Sequence, residues 1–237
     1  MKKQITVIAL IFCFFQSNYS EGQVLISLLL GDKLNSDKLE FGLDGGFNWS
    51  NISNIENSKS IGGFNLGFYF DFKVKENFYF HTGVGVKSPL GAKNITPYSL
   101  NNIGLDSLFE NGSVTRNLRY FHVPLQAKFM LSDKFFVELG PQLALLNKGT
   151  DNFTNDVLED EDLTFKNEVR DEYKRIDFGI LGGAGYKLMK GNGMSLGVKY
   201  YYGLTDILKD NLADAQMNRS FYIFARIPIG ASKSKGQ

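Results

Sequence analysis

Apolar and polar positions alternate with period two in eight segments of the chain, 39–49, 62–74, 77–88, 118–130, 134–146, 174–188, 193–204 and 219–230, and none of them holds a helical period. In 62–74, Phe64, Leu66, Phe68, Phe70 and Phe72 share one face, and Gly63, Asn65, Gly67, Tyr69, Asp71 and Lys73 share the other. In 120–129, "YFHVPLQAKF", Phe121, Val123, Leu125, Ala127 and Phe129 form the apolar face and Pro124 sits mid-strand, where a sheet needs an N–H group. The second face of these segments mixes glycine with charge. A soluble sandwich would place Thr, Lys and Glu there, because mid-strand glycines weaken it. A small membrane barrel inverts the arrangement: its apolar face meets lipid, and its other face must fit a narrow interior.

Connection lengths point the same way. The links around Lys75-Glu76, Leu131-Ser132-Asp133 and Met189 to Asn192 are short, whereas 50–61, 89–117, 147–173 and 205–218 are long and polar. Strict alternation of this kind belongs to outer-membrane barrels. With the long links outside, Phe47, Trp49, Phe64, Phe121, Phe178, Tyr200, Tyr202 and Phe221 fall near one lipid boundary, and Phe41, Phe72, Phe78, Phe129, Phe135 and Tyr186 near the other. The pattern predicts an all-β fold, an eight-stranded antiparallel transmembrane β-barrel over 39–230 with short periplasmic turns and long extracellular loops. Pro124 then lies on the lumen side and is expected to mark a local bulge or kink.

Composition adds the compartment. Met1-Lys2-Lys3, the apolar run Ile5 to Phe15 and the small residues Ser20 and Gly22 describe a secretory signal peptide over 1–22, too short to span a bilayer as a helix. Cys13, the only cysteine, lies inside it, so the mature chain is expected to have neither disulfide nor thiolate chemistry. Taking Lys2, Lys3 and Glu21 from 26 basic and 25 acidic residues leaves 24 of each, a balance that does not suggest a nucleic-acid partner. Residues 23–38 form a periplasmic N-terminal segment in which Val24 to Leu30 is expected to make a short helical cap, and 231–237 is a C-terminal tail.

Candidate chemistry sits on the inward face. Eight strands leave a lumen that side chains fill, and buried charge must be paired. Glu40, Asp71, Lys73, Lys128, Glu138, Lys187 and Arg226 cluster toward the periplasmic half and are expected to pair with one another. His81 and His122, the only histidines, also face inward; neither has a serine at a dyad spacing, and two histidines without cysteine make a poor transition-metal site. No enzymatic activity and no cofactor are expected. The acidic stretch 151–172 is read as a solvated extracellular loop. Asp156, Glu159, Asp160, Glu161 and Asp162 are its candidate divalent-cation ligands, although the regular EF-hand spacing is absent. An outer-membrane lipid-modifying enzyme and a soluble lipocalin-like binder are the competing classes.

"LEFGLDGGFNWS" (39–50), "GGFNLGFYFDFKV" (62–74), "YFHVPLQAKF" (120–129), "FFVELGPQLALLNKG" (135–149), "RIDFGILGGAGYKL" (175–188) and "LGVKYYYGLTDI" (196–207) resemble the PorT-like outer-membrane β-barrel family of Bacteroidetes-type bacteria. The aromatic-x-x-Val/Ile-Pro-Leu segment, here Tyr120 to Leu125, and Glu-x-Gly-Pro are its more specific parts. The resemblance implies a single barrel integral to the cell outer membrane. It also implies, through the family's namesake, an accessory role in type IX-like protein secretion. The partners to expect are outer-membrane lipid and lipopolysaccharide, and a periplasmic or secretion-machinery protein.

Overall fold

The computed structural model describes residues 36, 38–156, 163–188, 193–209 and 214–229, so the signal peptide, the cap helix and the C-terminal tail lie outside the described residues. Ten strands follow one another: β1 Leu39–Ile52, β2 Ile61–Lys75, β3 Phe78–Lys87, β4 Pro89–Ile95, β5 Ser113–Met130, β6 Phe135–Asn155, β7 Leu163–Glu168, β8 Ile176–Lys187, β9 Ser195–Gly203 and β10 Asn218–Pro228. A short helix, α1, spans Ile103–Phe109 and is capped by Asn102, whose Oδ1 accepts from the backbone N–H groups of Gly104 (3.1 Å) and Leu105 (3.2 Å).

Eight of these strands form a ring in the order β1-β2-β3-β5-β6-β8-β9-β10, closed by antiparallel pairing of β1 with β10 from Gly42↔Pro228 to Ile52↔Asn218. Closure removes the sheet's free edges. Outward positions carry exposed Phe47, Trp49, Phe64, Phe72, Phe121, Leu143, Phe178, Ile180, Val198, Tyr200, Phe221 and Ile227, while Asn48, Asp71, His122, Gln142, Asp177 and Arg226, each next in sequence to one of them, are buried inside. Phe41 also faces outward but is covered by Phe68 and Phe70, with ring centroids 6.1 and 5.0 Å away. The ring is tight enough that inward glycines are obligatory in places. A Cβ on Gly46 would run into the Ile223 carbonyl of the next strand.

Two stretches expected as loops, 89–117 and 147–173, are instead largely folded. β5 and β6 continue past the wall, β4 adds to the outer half of β5 and β7 to the outer end of β6, giving a four-stranded extension with α1 against it. This head packs around Leu90, Ala92, Val114, Leu118, Phe109 and Phe153, the outer part of one hydrophobic cluster. Phe153 meets Tyr98 (5.1 Å), Phe109 (5.8 Å) and Phe165 (6.3 Å) edge-on. β4 crosses the mouth of the ring: the Asn48 amide donates to the Pro89 carbonyl (2.8 Å) and the Ser50 hydroxyl to that of Gly91 (3.3 Å). Gly91 has φ +146°, and a Cβ there would collide with the Arg116 carbonyl, so only glycine fits this crossing.

Pro124 makes no bulge. The β3–β5 ladder runs from Phe78↔Phe129 to Thr82↔Leu125 and resumes at Gly85↔His122 in the same register, leaving Gly83 and Val84 unpaired opposite Val123 and Pro124. The true register shifts fall at Leu66/Gly67, Lys73/Lys75, Ala92/Ile95 and Arg119/Tyr120. A missing N–H removes a bond, but neighbours on both sides hold β5 in line. Pro124→Val should restore the donor, stabilising the barrel by about 0.5–1.5 kcal/mol. Hydrogen exchange should then slow at Gly83 and Val84; unchanged exchange would locate the gap's cause elsewhere.

Candidate functional site

Strand parity and register assemble the lower lumen. Asp44 lies opposite Arg226 across β1–β10, Glu40 opposite Asp71 across β1–β2, Asp71 opposite His81 across β2–β3, and Lys128 opposite Glu138 across β5–β6, all on inward positions. Arg226 donates a fork of two bonds to Glu138 (2.6 and 2.7 Å) and a third from Nε to Asp44 (3.1 Å). Asp44 also accepts from Lys199 (3.0 Å), and Asp71 accepts from Lys128 (2.6 Å) while sharing a hydrogen with His81 Nδ1 (2.6 Å). Nearer the periplasm, Glu40 accepts from Lys187 (2.9 Å) and from the Tyr69 hydroxyl (2.8 Å). Four carboxylates thus meet four cations, and three of the cations also lie on aromatic faces: Lys128 is 4.2 Å from the Phe136 ring, Arg226 4.4 Å and Lys199 5.1 Å from that of Phe224.

Six of the seven residues expected to pair, Glu40, Asp71, Lys128, Glu138, Lys187 and Arg226, come together here. Lys73 does not. It is exposed at the end of β2, beside the Lys73/Lys75 register shift, and takes part in none of these pairs. Asp44, Lys199 and His81 join the network instead. Their inward parity is readable in the sequence, but the reach of Lys199 and Arg226 along the axis is not.

Above this network the lumen is not polar throughout. Tyr120, Ala144, Leu146, Leu181, Tyr201 and Tyr222 are buried in one cluster that runs on into the core of the head. Each histidine is held by a neighbour, His81 by Asp71 and His122 by the Gln142 amide (2.8 Å).

The head holds an ion pair of its own. Arg116 makes two bonds to Asp151, one of them Nε to Oδ1 at 2.9 Å, with its guanidinium 5.4 Å from the Tyr173 ring. The Tyr98 hydroxyl donates to Asp151 (3.0 Å) and accepts from the Asn167 amide (3.0 Å). Burial opposes the Arg116 charge, but its bonds to Asp151 outweigh that and hold the guanidinium above its usual range. Burial and the Asp151 carboxylate push the Tyr98 hydroxyl up to about 12. Asp151 is therefore not part of a solvated loop, as its acidic surroundings suggested. Asp156 is exposed past the end of β6, and Glu159, Asp160, Glu161 and Asp162 lie outside the described residues.

A closed ring with lipid-facing aromatics outside and paired charge inside is the construction of a protein that lives in the outer membrane. A family model, the outer membrane protein beta-barrel domain, matches residues 27–209. The chain belongs to this family. This barrel is integral to the outer membrane. Among solved structures it is similar to Ail, the attachment invasion locus protein of Yersinia pestis, at 10% identity over 81% of this chain and 99% of that chain, with TM-score 0.43. It is also similar to Neisserial surface protein A, at 13% identity over 80% of this chain and 96% of that chain, with TM-score 0.41. A third is the outer membrane protein AlkL, at 13% identity over 85% of this chain and 96% of that chain, with TM-score 0.34. No curated protein matches the sequence.

Proposed function

We propose that this outer-membrane barrel works by binding at its extracellular end, and neither conducts solutes nor catalyses a reaction. The observation that carries this reading is a lumen closed at two levels, with a cavity of only about 50 Å³ between them beside His81, His122 and Gln142. Its lower half is closed by the Glu40, Asp44, Asp71 and Glu138 ion pairs and its upper half by packed tyrosine and leucine, with β4 laid across the mouth. A folded head, packed around the outer part of the same hydrophobic cluster, supports the same conclusion. Catalysis finds no support in the histidines, since both are already engaged with Asp71 and Gln142 rather than with a nucleophile.

Within the family, the Val-Pro-Leu and Glu-x-Gly-Pro segments favour a PorT-like member, and the nearest partner in space is the lipid of the outer leaflet. Planar-bilayer recording checks the closed lumen. The folded protein should give no stepwise conductance above that of protein-free bilayers, and reproducible single-channel steps at neutral pH would overturn the reading.

A further inference from the structure

Three basic residues stand on three consecutive strands of the ring, on its outer surface, where the wall meets the head. Arg119 on β5 and Lys148 on β6 are direct cross-strand partners. Lys87 ends β3 on the other side of β5 and is exposed, with its ammonium 5.6 Å from the ring of Phe64 on the lipid-facing wall. Phe64 and Phe121 are themselves exposed to lipid, so the three cations sit one step above an apolar, aromatic surface. This is the height at which acyl chains give way to headgroups.

Like charges placed directly opposite each other on one sheet face destabilise it, and the chain offers little internal relief here. Lys148 has Glu168 at 3.1 Å, but both side chains are well exposed, 40% and 60%, and such a pair is weak. Arg119 is exposed and enters no ion pair among the described residues. By contrast, the four carboxylates of the lower lumen, Glu40, Asp44, Asp71 and Glu138, each have a basic partner. Three cations on one exposed face, with Glu168 as their one acidic partner among the described residues, are open to an anionic group from outside.

We infer that Lys87, Arg119 and Lys148 form a binding site for the phosphate groups of an anionic outer-leaflet lipid, of the class of a phosphorylated acylated disaccharide. The acyl chains of that lipid lie against Phe64, Phe121 and Leu145. The planar fork of Arg119 suits a phosphate's paired oxygens, and the two flanking lysines add charge without fixing geometry. The inference rests on the reading that the head is outside and deepens it by naming the lipid contact.

The test uses the full chain folded into vesicles that contain either bis-phosphorylated lipid A or its dephosphorylated form, followed by detergent extraction and measurement of the lipid retained per barrel. The phosphorylated lipid should be retained roughly tenfold to a hundredfold better, given the contribution of each basic residue near an anionic surface. The triple variant Lys87→Gln/Arg119→Gln/Lys148→Gln should lose that preference, the single variant Arg119→Gln should weaken it, and Lys73→Gln, a single charge loss at the other end of the wall, should keep it. Millimolar inorganic phosphate should not compete. Equal retention of the dephosphorylated lipid, retention by the triple variant, or displacement by free phosphate would each overturn the site. Heat-modifiable gel migration shows that each variant is folded, and bilayer recording of the same samples keeps the two ideas apart. A closed barrel without lipid preference removes only the phosphate site, whereas a conducting barrel removes the proposed function.

Discussion

Replacing Glu138 with leucine should destabilise the folded barrel by about 3–5 kcal/mol, because Arg226 is then left buried without its bidentate partner. Arg226 is 1% exposed, and its remaining acidic neighbours are already engaged, Asp44 with Lys199 and Asp71 with Lys128 and His81, so neither replaces the lost fork. The double variant Glu138→Leu/Arg226→Met should recover most of that loss. It removes both charges, fills the same volume with apolar groups and leaves Asp44 paired to Lys199. Urea titration in vesicles, read by heat-modifiable migration, separates the two. If the single and double variants unfold at the same urea concentration, the fork is not what holds this level of the lumen.

The wall and the membership of its lower lumen were legible in the sequence for one reason. A period of two sorts residues to two faces whatever those faces meet, and the mixture of glycine with charge on one of them tells lipid outside from water outside. Height along the axis is harder to read, because long side chains move charge by several ångströms. Lys73 shares the parity of the network but ends exposed, while Lys199 reaches down to Asp44 and joins it.

The head was hidden by chemistry rather than by distance. Val114, Arg116 and Leu118 are buried on alternate positions of β5, and Asp151 and Phe153 on β6, so the strand period is intact. Its buried face, however, carries a charge of each sign, and a reading by hydropathy breaks at both. β4 is hidden further by Pro89 and Gly91, residues that normally argue against a strand, here tolerated at its start and at a crossing that admits only glycine.

Phe153→Ala should open that head while leaving the ring in place. Phe153 is fully buried and touches rings from three separate segments: Tyr98 ahead of α1, Phe109 at its end, and Phe165 on β7. Removing it leaves a cavity worth about 3–5 kcal/mol at the point where the three rings meet. The ring is held by pairing on every strand and by the ion pairs below, neither of which passes through Phe153. Limited proteolysis of the folded variant should therefore cut within 89–117, with heat-modifiable migration kept. Ile103→Ala, on an α1 side chain that is 90% exposed, should change neither. If Phe153→Ala instead abolishes heat-modifiable folding, the head and the ring form one cooperative unit. The continuous cluster from Tyr222 through Leu118 to Phe109 would then be the path by which the loss spreads.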